Sequence, residues 1–218
     1  SYSAGDYERT NQLLYSMTKI LFALKLMICV PIIIEVNTIL GLWLGEGVPQ
    51  FALTFTILSI IVRLIDSLNQ PLTTVIYATE KIKKYMIITS SALFCTLPVS
   101  YILFKLGLPA YSLFVAMICL TAASQWASIE IVNKQCSFFI KKDYLKRVIL
   151  PCIIHSIIVL SLSSFVTIFE LNNFLQLILV CFISLVSTLF SAFIIVFDTN
   201  EKELTKQYIL KLINMKKE

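Results

Sequence analysis

Residues 54–74 read TFTILSIIVRLIDSLNQPLTT, an apolar stretch with an arginine, Arg63, near its middle. A bilayer core about 30 Å thick needs roughly 20 residues of helix to cross it. A charge near the centre of such a helix costs from roughly 3 to more than 10 kcal/mol, so charged residues there usually face a protein interior or a water-filled cavity. The stretch therefore predicts a membrane-spanning helix that borders a polar compartment.

The composition of the whole chain is that of an integral membrane protein. Of its 218 residues, 58% are hydrophobic and 14% are charged, and the mean hydropathy is +0.85. Soluble domains carry about 25% charged residues. The apolar residues come in long runs, whereas the strands of a membrane β-barrel are short alternating segments. We therefore predict an all-α integral membrane protein.

Six apolar runs form the predicted transmembrane domain, residues 19–197, at positions 19–40, 52–78, 85–106, 110–132, 147–169 and 173–197. Lysine and arginine are concentrated before the first run, after the second, after the fourth and after the sixth. Positively charged loops stay in the cytoplasm. Both ends of the chain, a loop at 1–18 and a tail at 198–218, are therefore expected on the cytoplasmic side.

The two ends carry further expectations. In the tail, Leu204, Tyr208 and Leu212 recur at helical spacing against a lysine-rich face, which predicts an amphipathic helix lying on anionic membrane lipids. The start, from Ser1, lacks a signal peptide and reads as an interior loop. We expect the chain to be part of a longer protein.

Polar side chains follow Arg63 along one side of the second span. Ser67, Gln70 and Thr74 come at steps of four, three and four residues, which places them on a single helical stripe. We interpret the stripe as a candidate cavity lining. Asp66 lies three residues from Arg63 and can pair with it, and the alternative is that this pair is buried against a neighbouring helix without a substrate.

Three further residues of the apolar runs bear on the site. Lys25 lies six residues beyond Lys19, about 9 Å deeper along a helix, and either lines the cavity or snorkels to the interface. Pro71 cannot donate a backbone hydrogen bond, so it permits a bend in the second span. His155 has no carboxylate beside it at helical spacing, and we interpret it as a neutral, hydrogen-bonded core residue.

Several classes of function are not favoured. The six cysteines show no C-x-x-C spacing, so neither a metal site nor a disulfide framework is predicted. The basic residues that give the net charge of +5 lie between apolar runs. They do not form the basic, aromatic surface that nucleic-acid binding requires. No catalytic motif or phosphate-binding glycine loop occurs. We expect no catalytic residue, no cofactor and no enzyme.

Short stretches of the chain are similar to one transporter family. They are SAGDYER at 3–9, ILGLWLG at 39–45 followed by Val48 and Pro49, Pro71 with Leu72, and ATEKIKKY at 78–85. In this order and spacing they resemble the polysaccharide transporters, or O-antigen and capsule repeat-unit flippases, of the multidrug/oligosaccharidyl-lipid/polysaccharide flippase superfamily. Glu80 stands where that family usually has a glycine, the residue that adopts a positive φ at helix ends without steric cost.

The resemblance implies a fold and a function. The six spans would be the C-terminal part of a two-lobed transporter whose N-terminal lobe is missing here. It would move an undecaprenyl-pyrophosphate-linked oligosaccharide across the bacterial inner membrane by alternating access, with membrane lipids around it. Arg63 would then bind the pyrophosphate oxygens, while Ser67, Gln70 and Thr74 meet sugar hydroxyls. A drug or cation antiporter of the related extrusion family and a membrane-embedded glycan enzyme are the alternatives.

Overall fold

The computed structural model describes residues 7–79, 82–169 and 172–196. Six helices in these ranges are long and apolar enough to cross a membrane, and no β-strand occurs in them. The prediction of an all-α protein with six transmembrane helices is therefore confirmed. The predicted amphipathic tail lies outside the described residues, as does Glu80.

Two of the six spans are divided by short breaks, and two contain π-helical segments. In chain order the helices are α1 (Tyr7–Ile34), α2 (Val36–Leu44), α3 (Ala52–Ser67), α4 (Gln70–Ala78), α5 (Lys83–Lys105), α6 (Ser112–Gln135), α7 (Lys141–Tyr144), α8 (Leu150–Ser164) and α9 (Asn173–Ser191). A π-helical segment, Leu145–Ile149, joins α7 to α8, and another, Ala192–Val196, follows α9.

The first helix begins earlier than the sequence predicted. Residues 7–18, expected as a loop, are the first turns of α1. Their buried side chains explain the difference, because Leu14 and Tyr15 belong to the main core. The ring of Tyr15 packs edge-on against Phe139 and Tyr144, with centroids 6.4 and 5.6 Å apart. Packing against the α6–α8 region thus extends the helix to residues N-terminal to the predicted span.

Helix α1 lies at the centre of the bundle, and helix α5 lies at its edge. α1 packs against α3, α4, α8 and α9, whereas α5 packs almost entirely against α6. Leu26 of α1 is 1% exposed, and Leu97 of α5 is 72% exposed. Since apolar side chains on the outside of a membrane protein are solvated by lipid tails, α5 presents a broad lipid-compatible face.

The turn between α5 and α6 follows from its glycine. Gly107 has φ of 81°, a left-handed conformation that glycine adopts without steric cost. The amide of Leu108 donates to the carbonyl of Leu103 at 3.1 Å, and the amide of Gly107 donates to that of Phe104 at 3.0 Å. These two bonds form a Schellman motif, and they produce the tight turn between α5 and α6.

A charged cluster connects α6 to α7 at the other end of the bundle. Lys141 forms an ion pair with Glu130, and its ammonium lies 3.9 Å from the ring centroid of Trp126. The backbone amide of Lys141 donates to Asn133 Oδ1 at 3.0 Å. The carboxylate of Glu130 is therefore committed to a local structural contact.

Candidate functional site

The second span is interrupted at the position that the sequence indicated. α3 ends at Ser67 and α4 begins at Gln70, one residue before Pro71. The amides of Leu68 and Asn69 donate to the carbonyls of Ile65 and Asp66 in short, tight turns. The Tyr144 hydroxyl, from α7, donates to the carbonyl of Leu68 at 3.3 Å. The break is therefore built into the bundle and held from a second helix.

Arg63 differs from the rest of α3 in its exposure. Within this helix, all of which the structure describes, Arg63 alone is exposed. It lies 11 residues after the start of the span at Ala52, roughly 16 Å along the helix axis. No ion pair joins Arg63 to Asp66 among the described residues. The three-residue spacing of Arg63 and Asp66 permits an ion pair, but the two side chains do not form one.

Lys25 and Gln70, two of the sequence-predicted residues, come together from different spans. Lys25 Nζ donates to Gln70 Oε1 at 3.5 Å, joining α1 to α4. Thr74 lies one turn further along α4, and both Gln70 and Thr74 are exposed. Arg63 precedes Gln70 by seven residues along the chain, across the break between α3 and α4. We call Lys25, Arg63, Gln70 and Thr74 the cationic face.

The other two predicted residues, Ser67 and Asp66, are placed differently. Ser67 is fully buried, and its hydroxyl donates to the carbonyl of Leu64 at 2.6 Å. Asp66 is partly buried and lines a separate cavity of about 260 Å³ between α3, α5 and α6. The stripe predicted from the sequence is thus divided, because Ser67 is buried while Arg63, Gln70 and Thr74 are exposed.

The cationic face combines two positive side chains with neutral hydrogen-bonding groups. The guanidinium of Arg63 offers a planar fork of donors that suits carboxylates and phosphates, and the ammonium of Lys25 adds a second positive charge. Gln70 and Thr74 can donate to or accept from hydroxyl groups. The arrangement is suited to an anionic, hydroxyl-rich ligand.

The described residues contain no group of three or more His, Cys, Asp or Glu side chains that could hold a metal ion. The six cysteines are free and lie singly.

Two buried charged residues were not recognised as such from the sequence. Lys19, interpreted as a marker of the membrane boundary, is 0% exposed inside the bundle. Glu35 is 3% exposed and accepts hydrogen bonds from Thr38 and from Gln176 of α9, each at 2.8 Å. Apolar flanking residues on both sides of Lys19 are the sequence signal that could have indicated its burial.

The interpretation of His155 as a core residue is confirmed. Its side chain is fully buried, and Nδ1 lies 2.8 Å from Ser191 Oγ. The Ser191 hydroxyl donates to the carbonyl of Ser187 at 2.5 Å, so its oxygen accepts from the imidazole. His155 therefore connects α8 to α9 and takes no part in the cationic face.

Comparisons with known proteins do not place the chain in a family. No family model matches it, and no curated protein or solved structure does so at a significant level.

Proposed function

We propose that this chain is the C-terminal part of a flippase that moves a lipid-linked oligosaccharide across a bacterial inner membrane, with the cationic face binding its anionic pyrophosphate. The substrate would be an undecaprenyl-pyrophosphate-linked repeat unit of O-antigen or capsule, the class implied by the sequence resemblance. Both ends of the chain would lie in the cytoplasm, and a second lobe would complete the cavity.

The exposed position of Arg63 carries the proposal. Arg63 lies near the middle of a membrane-spanning helix, is exposed on the surface of the bundle, and has no ion pair among the described residues. A guanidinium in contact with lipid tails at this depth would cost several kcal/mol at least. The surface around Arg63 therefore requires a polar environment, and a water-filled substrate cavity provides one.

Lys25 and Gln70 support an anionic substrate. The 3.5 Å contact between them is long and exposed, so it contributes little to stability and leaves the ammonium of Lys25 available to a ligand. Arg63 and Lys25 together supply two positive charges, which matches the charge of a pyrophosphate diester. Gln70 and Thr74 provide hydrogen bonds for the first sugar.

Ser67 does not take part in the proposed binding, because its hydroxyl is buried and donates to the carbonyl of Leu64. Asp66 is also placed outside the substrate surface, since it lines a cavity on the side of α5 and α6.

Complementation in cells tests the proposal. Variants Arg63→Glu and Arg63→Lys of the full-length protein, with its proposed second lobe, are expressed in a strain whose own repeat-unit flippase is deleted, and surface glycan and accumulated lipid-linked repeat units are measured. Arg63→Glu should abolish export and raise the lipid-linked intermediate. Arg63→Lys should retain part of the activity, because it keeps the charge and loses the planar fork.

Lys105→Glu is the matched control, since it makes the same change of charge at an exposed residue beside the α5–α6 turn. It should export normally. Normal export by Arg63→Glu, at protein levels equal to the unmodified chain on an immunoblot, would show that the cationic face does not bind the substrate.

A further inference from the structure

A groove runs between the start of α5 and the end of α6 on the surface of the bundle. Its volume is about 460 Å³, within the roughly 300–1,000 Å³ of small-molecule sites. Its apolar lining consists of Ile87 and Ile88 from α5 and of Ala127 and Ile131 from α6. Because Ile87 is 55% exposed, the groove is open to the lipid tails around the protein. We call it the α5–α6 groove.

Two lysines line one end of the α5–α6 groove. Lys84 is the second residue of α5, and Lys134 is the next to last residue of α6. Since a tight turn joins the opposite ends of these two packed helices, both lysines lie at the same end of the bundle. Ile87 and Ile131 lie three residues further into their spans, about 4.5 Å deeper. The groove is therefore cationic where the spans end and apolar towards the middle of the membrane.

The charges of these two lysines are not balanced by neighbouring carboxylates. Both side chains are exposed, and neither forms an ion pair within the described residues. Glu130 is the remaining charged residue of the lining, and it is paired with Lys141. The end of the groove therefore keeps the two positive charges of Lys84 and Lys134.

We propose that the α5–α6 groove binds one anionic glycerophospholipid, with the lipid phosphate between Lys84 and Lys134 and one acyl chain along Ile87, Ala127 and Ile131. Basic pockets between membrane helices bind anionic lipid headgroups, and the order of charge and apolar surface in the groove matches the order of headgroup and chain in a phospholipid. A zwitterionic headgroup would bring a third positive group close to the two lysines, so the groove favours a lipid with net negative charge.

The site is separate from the cationic face in position and in ligand. The cationic face belongs to α1, α3 and α4, whereas the groove belongs to α5 and α6. A lipid in the groove would be a stable companion of the bundle and would not be transported. The inference therefore does not rest on the proposed flippase activity.

Native mass spectrometry of the purified full-length protein in detergent tests this site without a transport assay. Phosphatidylglycerol or phosphatidylcholine is added, and each bound lipid is counted to give its dissociation constant. Phosphatidylglycerol should bind several-fold more tightly than phosphatidylcholine. The double variant Lys84→Gln with Lys134→Gln should weaken the tightest phosphatidylglycerol site by about fivefold for each lysine removed.

Matched variants separate the groove from other basic surfaces. Lys105→Gln with Lys146→Gln removes the same charge from two exposed lysines outside the groove lining, and it should bind phosphatidylglycerol like the unmodified protein. Arg63→Gln should also leave this binding unchanged, because Arg63 belongs to the cationic face.

A change of shape without a change of charge tests the apolar part of the groove. Ala127→Phe places a ring among the groove residues and should weaken phosphatidylglycerol binding several-fold. Val115→Phe places the same ring at an exposed site near the other end of α6 and should have no effect. Thermal unfolding in the same detergent shows that each variant is folded.

Three outcomes would overturn the proposal. The first is equal affinity for phosphatidylglycerol and phosphatidylcholine, or unchanged binding in both the double lysine variant and Ala127→Phe. The second is loss of the tightest site in Arg63→Gln, which would place the lipid on the cationic face. The third is tight binding that occurs only after residues 198–218 are deleted, which would show that this segment of the chain occupies the groove.

Discussion

The two sides of the α3–α4 helix pair differ in charge, exposure and the way their polar groups are satisfied. On the side of α1, the cationic face presents exposed donors, and its contact between Lys25 and Gln70 is long and weak. On the side of α5, the cavity lined by Asp66 presents the hydroxyl groups of Thr89 and Thr96, whose protons are donated to backbone carbonyls. The same span therefore carries both an exposed guanidinium, at Arg63, and a carboxylate, at Asp66, that lines a cavity with α5 and α6.

The largest expected contrast is in packing between the central and the edge helix. Leu26→Ala, at a 1% exposed site on α1, should lower the free energy of unfolding by about 2–5 kcal/mol, since a cavity remains in a tightly packed region. Leu97→Ala, at a 72% exposed site on α5, should change it by less than about 0.5 kcal/mol. Unfolding of the purified protein by SDS in mixed micelles measures both, and equal effects would contradict the assignment of α1 to the centre.

A smaller effect is expected where α1 meets α9. Glu35→Ala should lower the free energy of unfolding by about 1–3 kcal/mol, because the amide of Gln176 and the hydroxyl of Thr38 lose their acceptor. Glu35→Gln keeps an acceptor oxygen and should recover part of the loss in the same unfolding assay. No loss in Glu35→Ala would mean that this carboxylate is solvated.

Removing the hydrogen bond that holds the break between α3 and α4 should lower the free energy of unfolding by about 1 kcal/mol. Tyr144→Phe removes the hydrogen bond to the carbonyl of Leu68, and a neutral hydrogen bond contributes about 0.5–1.5 kcal/mol. Tyr101→Phe is the matched control, since Tyr101 is 67% exposed on α5. If the two variants unfold at the same SDS concentration, the tyrosine does not support the break.

The smallest effect is expected within the cationic face itself. A double-mutant cycle with Lys25→Met and Gln70→Met should give a coupling energy below about 0.5 kcal/mol, because the contact is exposed and 3.5 Å long. The same variants should nonetheless reduce glycan export. A coupling above about 1 kcal/mol would indicate that the pair stabilises the fold and is not held open for a ligand.

The architecture could be predicted from the sequence because a membrane imposes simple rules on it. Length and apolar composition alone define a spanning helix, and they located all six spans, while Pro71 indicated the break beside Asn69. The early start of α1 was missed because residues 7–18 are polar in part, and their helix depends on aromatic contacts with Phe139 and Tyr144.

The side-chain environments were less predictable, because spacing along a helix does not identify the neighbour that a residue faces. Arg63 and Asp66 are at a spacing that permits an ion pair, yet none forms among the described residues. Ser67 lies on the stripe with Gln70 but is buried. The Asn69 amide donates to the Tyr85 hydroxyl, which in turn bonds Thr73, an arrangement that exists only once α4 and α5 are packed.

The interruption between Ser67 and Gln70 also has a mechanical meaning. α3 carries Arg63, and α4 carries Gln70 and Thr74, so the two helices are separate rods joined by Leu68 and Asn69. A change in the angle of this joint would alter the distance from Arg63 to the Lys25–Gln70 contact while leaving the hydrogen bonds inside both rods intact. The distance from Arg63 to the Lys25–Gln70 contact thus depends on the angle between α3 and α4. The hydrogen bond from Tyr144 to Leu68 helps to hold that angle.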